Sequence, residues 1–274
     1  MATAEISAKD VFKLRKQTGA GMMDCKKALV EADGDFEAAT DYLRKKGQKL
    51  ASKRADREAS EGFALAKVVG NKAYLLVLNC ETDFVAKNED FGKLTESFLD
   101  IAIKNELTVL ADVLGADYNG LTIAEKVIEQ TGVIGEKLEI SYFEVVEGET
   151  VYGYNHPGNR IATIVALNKA VDAEYAKDVA MQVAAMAPVA IDKDDVDEAI
   201  VAKEIEIAKE LLIQEGKPAN MVDKIAIGKL NKFFKENTLL NQAFIKDSKK
   251  SVKEYLNGGA TDLTVTAFKR FSLS

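Results

Sequence analysis

Few residues in this chain are equipped for covalent chemistry. It holds one histidine, His156, two cysteines, Cys25 and Cys80, and no tryptophan. A side-chain nucleophile needs a base beside it, yet no Gly-x-Ser-x-Gly elbow and no His-Glu-x-x-His zinc pair occurs. The cysteine spacing fits no zinc or redox motif. The nearest thing to a phosphate loop is Gly132-Val133-Ile134-Gly135-Glu136-Lys137. Its glycines stand too close together and no hydroxyl residue follows the lysine, so no nucleotide is expected there. Carboxylates are plentiful, but none stands out as a pair in an apolar setting. The inventory points away from an enzyme and gives no reason to expect a metal or other cofactor.

What the sequence offers instead is contact chemistry, in two segments. The first is Leu14-Arg15-Lys16-Gln17-Thr18-Gly19-Ala20-Gly21-Met22-Met23-Asp24-Cys25-Lys26-Lys27-Ala28-Leu29. Met22 and Met23 fall at a helix–helix turn in a module too small to bury everything. Exposed thioethers make an adaptable contact surface, and core filling by at least one of them is the competing reading. The second segment is Asn79-Cys80-Glu81-Thr82-Asp83-Phe84-Val85-Ala86-Lys87-Asn88, between a buried strand and a helix. In one reading Asp83 is the helix N-cap and Phe84 the first core residue. In the other, Phe84 projects from a strand-to-helix corner as an aromatic wedge with a carboxylate beside it. His156, alone in a strand turn, reads by itself as structural or incidental.

The elements that must position these segments follow from periodicity. Ser7, with Asp10 three residues on, caps a helix carrying Val11 and Leu14 on one face; Thr18 to Gly21 stops it. Asp24 is expected to cap a second, short helix with Cys25, Ala28 and Leu29. Asp33-Gly34-Asp35 then starts a third, with Phe36, Ala39, Tyr42 and Leu43 aligned. The basic run Arg44, Lys45, Lys46, Lys49, Lys53, Arg54 and Arg57 reads as a solvated helical linker, with an RNA-binding stripe as the alternative. From Gly62 the period becomes that of strands: 63–69, a Gly70-Asn71 turn, then 74–78, which is apolar on both faces and so should be buried by helices. One helix is expected to carry Phe84, Phe91, Leu94, Phe98 and Ile101, and another to lie around Ile123, Val127 and Ile128. Strands return at 138–146, 151–155 and 161–167, followed by a helix over 175–187. At one and the same offset Leu75–Asn79 aligns with Ile164–Asn168 and Asp83 with Asp172, which suggests two related α+β subdomains. The stretch 194–236 forms a helical hairpin turning at Gly216-Lys217-Pro218, either projecting or packed on the second subdomain. The alternation of 263–267 closes the chain with a strand.

Composition frames the rest. Thirty-seven Lys and Arg against forty-four Asp and Glu give a net charge of -7, with 47% apolar and 30% charged residues. That is an ordinary globular chain with room for two or three units, and its sign argues against a whole-protein nucleic-acid binder. Two thiols point to a reducing compartment. The N-terminus has neither a basic n-region nor an apolar h-region, and no apolar run approaches the roughly 20 residues that span a bilayer. A cytoplasmic protein is expected.

Both contact segments closely resemble the two signature regions of the elongation factor Ts family, over Leu14–Leu29 and Asn79–Lys87. The similarity continues through Asn155–Ile161 and Met181–Pro188, and so covers nearly the whole chain. The resemblance implies an α+β fold: a ubiquitin-associated-like (UBA-like) three-helix module and basic linker over 1–55, a core subdomain over 56–147, and a second over 148–274 that includes the hairpin at 194–236. It also implies a guanine-nucleotide exchange factor that binds elongation factor Tu, both GDP-bound and nucleotide-free, and holds no nucleotide itself. No membrane and no direct nucleic-acid contact are expected. By the match, Thr82, Asp83, Phe84 and Val85 bind beside the partner's nucleotide site, with Asp83 and Phe84 as the wedge. Met22, Met23 and Lys26 match a contact with the partner's G domain, Ile134 and Gly135 a core-loop contact, and His156 a core histidine at the interface. Val77 departs from the pattern, since the family usually has Glu there; either a polar contact is lost or the strand face changes without consequence. The chain stops soon after the closing strand, so the C-terminal helical contact of some members is not expected. Three rival readings remain: an adaptor using the three-helix module alone, an RNA-associated protein using 44–57, and an enzyme of unrecognised type.

Overall fold

A computed structural model of the chain describes residues 6–273; the readings that concern Met1–Glu5 and Ser274 lie outside the described residues. Three helices come first. Ser7 caps α1 (Ala8–Thr18) by accepting from the Asp10 backbone N–H, and Gly19 ends it. α2 (Met22–Glu31) starts at Gly21, which has no side chain to cap with. Asp24 therefore sits inside the first turn rather than at the expected cap, where its charge still favours the positive helix end. Asp35 caps α3 (Phe36–Arg54) by accepting from the Ala38 N–H at 2.8 Å. Val11, Leu14, Cys25, Ala28, Leu29 and Ala39 form a thin core, with Phe36, Tyr42 and Leu43 against it.

The first half of the remaining chain winds around one sheet. β1 (Glu61–Val69) and β2 (Lys72–Cys80) make the expected antiparallel hairpin. There follow α4 (Asp83–Ala86), α5 (Glu89–Lys104), α6 (Leu110–Gly115), the short pair β3 (Asp117–Tyr118) and β4 (Leu121–Thr122), and α7 (Ile123–Ile134). β5 (Glu139–Glu147) then returns antiparallel beside β2, giving the order β1-β2-β5. The single helix expected across Phe84 and Ile101 is thus two. Asn88 caps α5 with its side chain, accepting from the Asp90 N–H at 2.8 Å, and its extended backbone breaks the run.

The second half repeats the plan. β6 (Thr150–Asn155), β7 (Ile161–Leu167) and α8 (Ala173–Met186) lead into the hairpin helices α9 (Glu198–Gln214) and α10 (Ala219–Asn237). The stretch after them, where periodicity predicts no element, holds β8 (Ala243–Phe244), β9 (Asp247–Ser251) and α11 (Val252–Asn257). β10 (Val265–Ser272) closes a second antiparallel sheet of order β10-β7-β6.

The two sheets pack face to face. Ala64, Ala66, Ala73, Leu75, Val77 and Val146 of the first meet Val151, Ala162, Ile164 and Ala166 of the second. Alternate residues Tyr74, Leu76 and Leu78 of β2 face the other way, against Phe91, Phe98 and Leu99 of α5 and Ile123 and Val127 of α7. On the far side Val165 and Leu167 lie against Ala176, Val179, Ala180 and Val183 of α8. β2 is apolar on both faces because helices cover one and the second sheet the other. The fold is α+β, with antiparallel sheets.

The basic run is helical and largely solvated as expected, Arg44 to Arg54 forming the second half of α3 and Arg57 following it, but the helix does not stand free. It is laid across α7 where Gly47 meets Gly132: a Cβ on Gly132 would lie 2.5 Å from the Gly47 Cα. The hairpin, by contrast, keeps its own small core of Ala208, Leu212, Val222 and Ala226. It is fastened at its base, where the Val189 N–H donates to the Asn237 carbonyl and Ala190 bridges Thr238. That arrangement is the projecting one of the two. Among the described residues no helix is long and apolar enough to cross a membrane.

Candidate partner-binding surface

The corner between β2 and α4 is built by its backbone. Thr82 occupies the N-cap position of α4 with extended dihedrals, and Asp83 and Phe84 are the first two helical residues. Asp83 is therefore not the cap, and Phe84 is not core. The residue is 83% exposed, while Val85 and Ala86 on the other side of the turn pack half-buried on the first core. An exposed Phe forgoes about 1.5–3 kcal/mol of burial, which a partner covering it would recover. Beside it the Asp83 carboxylate accepts from Lys87 Nζ at 2.6 Å. That bond is the main cause holding the Asp83 carboxyl below the usual carboxylate range.

Thr82 makes no side-chain cap bond, and its hydroxyl is turned to Glu136. It donates to Glu136 Oε1 at 2.6 Å, while Glu136 Oε2 accepts the backbone N–H groups of Glu81 (3.1 Å) and Thr82 (3.0 Å). The favour is returned: the Glu81 carboxylate accepts the Lys137 N–H at 2.6 Å and is gripped by Arg54 Nη1 at 2.6 and 2.9 Å. The Lys137 amide, then Arg54, hold the Glu81 carboxyl below its ordinary range. Lys137 Nζ in turn donates to the carbonyls of Ala55 and Arg57. Cys80 lies beneath, its thiol pushed up to about 12 by burial and then by the negative charge of Glu136. A thiol so placed is inert at neutral pH.

The core-loop pair arrives at the same corner from the other side. Ile134 ends α7 half-buried in the first core, and Gly135 follows in the left-handed region at φ 86°, its N–H returning to the Thr131 carbonyl. That φ suits glycine and turns the chain so that Glu136 and Lys137 face β2. Thr82 to Val85 and Ile134 to Gly135 are thus brought together, with Glu136 as the link.

His156 is exposed, its Nδ1 2.9 Å from the Tyr154 hydroxyl. The turn that carries it is laid along β1: Asn159 exchanges bonds with the Ala64 backbone, and the Asn155 amide pairs with both backbone groups of Ala66. Gly158 and Asn159 share a shallow groove with Phe63, Ala86, Gly92 and Lys93, so the histidine turn and the α4–α5 junction border one surface.

Met22, Met23 and Lys26 are grouped apart from the corner, on the first turns of α2. Met23 is 75% and Met22 39% exposed, and neither joins the helical core. α3 connects this patch to the corner. Lys46 near its middle pairs with Asp24, and Arg54 at its end pairs with Glu81. Two of the basic side chains considered for RNA are therefore engaged within the protein. Val77 lies wholly buried between the sheets, paired in register with Ala64 and Tyr142, so at this position the strand presents an apolar face.

Sequence reasoning assigned no role to Glu136, and it named Glu81 and Arg54 only as members of the second contact segment and of the basic run. The one available signal was a glutamate directly after Gly135, in the stretch set aside as a failed phosphate loop.

Known proteins are similar to this chain in sequence. A family described as "Elongation factor TS" matches residues 81–274. The chain is 55% identical to elongation factor Ts of Christiangramia forsetii over 98% of its own length and 99% of that protein's. The same protein of Flavobacterium psychrophilum is 53% identical, with coverage of 98% and 99%. That of Porphyromonas gingivalis is 46% identical, with coverage of 98% on both sides. With the match running through both halves of the sandwich and through the helical module, this chain belongs to the elongation factor Ts family of translation elongation factors.

Proposed function

We propose that the chain is the guanine-nucleotide exchange factor for elongation factor Tu, and that it acts by contact alone, without bond-breaking chemistry and without holding nucleotide itself. The observation that carries this is Phe84: a large aromatic side chain left in water at the tip of a corner whose backbone is fixed on both sides. In this reading Phe84, with Asp83 beside it, enters between helices of the partner's G domain and disturbs the Mg²⁺ and phosphate contacts that hold GDP. Thr82 and Val85 flank the wedge, Ile134 and Gly135 back it, and His156 and the Met22, Met23, Lys26 patch supply the remaining grip. The setting would be the cytoplasm, where elongation takes place.

Exchange by this route is linkage. The factor binds nucleotide-free partner more tightly than GDP-bound partner, so each ligand weakens the other by the same ratio. Couplings of this kind run to about 1–3 kcal/mol, and an exchanger needs the top of that range or more. Phe suits the task because it displaces a large area while losing little side-chain entropy.

The test is release of a fluorescent GDP analogue from elongation factor Tu in excess unlabelled GDP. Substoichiometric protein should accelerate release catalytically. No acceleration from an active partner would sink the reading and favour an adaptor built on the three-helix module.

A further inference from the structure

We propose that Glu136 is the positioning residue of the wedge: by gathering the Glu81 and Thr82 amides and the Thr82 hydroxyl onto one carboxylate, it holds Phe84 in the attitude that the partner meets. The proposal rests on the reading of Phe84 as the exchange wedge and adds how this chain keeps it poised.

The need is physical. α4 is a single turn of four residues with none of its side chains buried. A lone turn is the costly nucleus of a helix, fixing several dihedrals for very few bonds. The packing of Val85 and Ala86 holds one side of it only. Thr82, at the N-cap position, accepts no backbone N–H with its hydroxyl, which instead donates to Glu136 at 2.6 Å. The direction in which the chain leaves β2 is therefore set by the bonds at Glu81 and Thr82, and both amides end on Glu136 Oε2. Bonds to a charged acceptor are the strong ones.

The arrangement is reciprocal, which makes it a clasp rather than a single tether. Glu136 holds the backbone of Glu81 and Thr82, and the Glu81 carboxylate holds the Lys137 backbone, next in the chain to Glu136. Two carboxylates drawn together in this way would repel, and Arg54 offsets the charge of Glu81 from the end of α3. The last residue of the helical module thereby becomes a member of the clasp.

The consequence for exchange is preorganisation. A wedge ordered before encounter does not have to be ordered at the partner's expense. Loss of Glu136 should leave the sandwich intact and cost exchange through Phe84 alone.

The experiment compares Glu136→Ala, Glu136→Gln, Phe84→Ala and the double variant Phe84→Ala with Glu136→Ala in the release assay, together with amide hydrogen exchange at Glu81 and Thr82. Glu136→Ala should lose about tenfold or more of the acceleration, as expected for removal of charge-assisted bonds. It should still fold cooperatively, with a melting temperature lowered by the loss of those bonds, while the two amides lose protection. Glu136→Gln keeps an oxygen for both amides without the charge and should fall between Glu136→Ala and the wild type. On the Phe84→Ala background, Glu136→Ala should cost almost nothing further, since residues that act through one another are not additive. An unchanged rate in folded Glu136→Ala, or an equal loss added to that of Phe84→Ala, would overturn the proposal. Should Glu136→Ala fail to fold, Thr82→Val removes the hydroxyl donor alone; there a partial loss of rate supports the clasp and a wild-type rate refutes it. Failure of the exchange reading itself shows differently, as a wild-type protein without effect on release, and the amide protection then still reports whether the clasp exists.

Discussion

Phe84 tests whether a side chain is present for the fold or for something the fold meets. A residue that is 83% exposed leaves no cavity when its ring is removed, so Phe84→Ala should change stability by no more than about 0.5 kcal/mol. The same truncation at a core position such as Phe98, which is fully buried, should cost about 3–5 kcal/mol. Exchange should fall steeply in the first variant despite its unchanged melting curve. Thermal melts beside the release assay decide the matter, and a melting temperature dropping as far as that of Phe98→Ala would return Phe84 to the core. At this scale the sequence left the choice open, because a Phe in the first turn after a strand has the same local pattern in either role. What separates them is that the turn is only four residues long. The brevity comes from Asn88, whose cap bond to Asp90 cuts across an otherwise helical spacing of Phe84, Phe91 and Leu94. The clasp was less legible still, since Glu136 and Glu81 meet only after β2 and β5 have paired.

Between elements, the crossing of α3 over α7 joins the helical module to the sheets, and it depends on two glycines that are not equivalent. A Cβ on Gly132 would stand 2.5 Å from the Gly47 Cα, closer than real contacts allow, whereas a Cβ on Gly47 would meet its nearest neighbours at 3.5 Å. Gly132→Ala must therefore push the helices apart, at about 1–3 kcal/mol, offset in part by up to ~1 kcal/mol of helix propensity. Gly47→Ala gains the propensity without the clash and should be neutral or more stable by up to ~1 kcal/mol. Urea unfolding of both variants checks this; if Gly132→Ala costs no more than Gly47→Ala, the helices do not cross there. Hydrophobic period had identified both sheets' strands, the three opening helices and the hairpin, because each reports its own burial. It could not reveal this crossing. Glycine contributes nothing to a hydrophobic pattern, and seven basic residues around Gly47 and beyond look like a solvated surface whether or not one side of the helix is covered. The small pair β3 and β4 was missed for a related reason, being two strands of two residues each, too short to show a period.

Taken whole, the molecule divides into parts of unequal stability. β2 and β7 are each covered on both faces, by helices outside and by the opposite sheet within. Their amides should exchange only when the protein unfolds globally. The hairpin is otherwise built: helices of 17 and 19 residues share a core of four small or medium side chains, and Ile213 and Ile227 face water. In proteins most helical stability comes from packing of the apolar face rather than from propensity, and so small a core adds little. Hairpin amides should therefore exchange through local opening at about 2 kcal/mol or more below the global value. Native-state hydrogen exchange monitored residue by residue measures it, and a hairpin as protected as β2 would mean that it packs on the body of the protein. The measurement bears on function when repeated with elongation factor Tu present. A factor whose wedge is clasped in place while its hairpin opens freely would keep order where the partner's nucleotide is displaced and leave the hairpin to be ordered on contact. Protection rising in the hairpin on complex formation would mark it as a further contact. Protection unchanged there, but raised at Thr82 to Val85, would assign the grip to the corner and the sheets that support it.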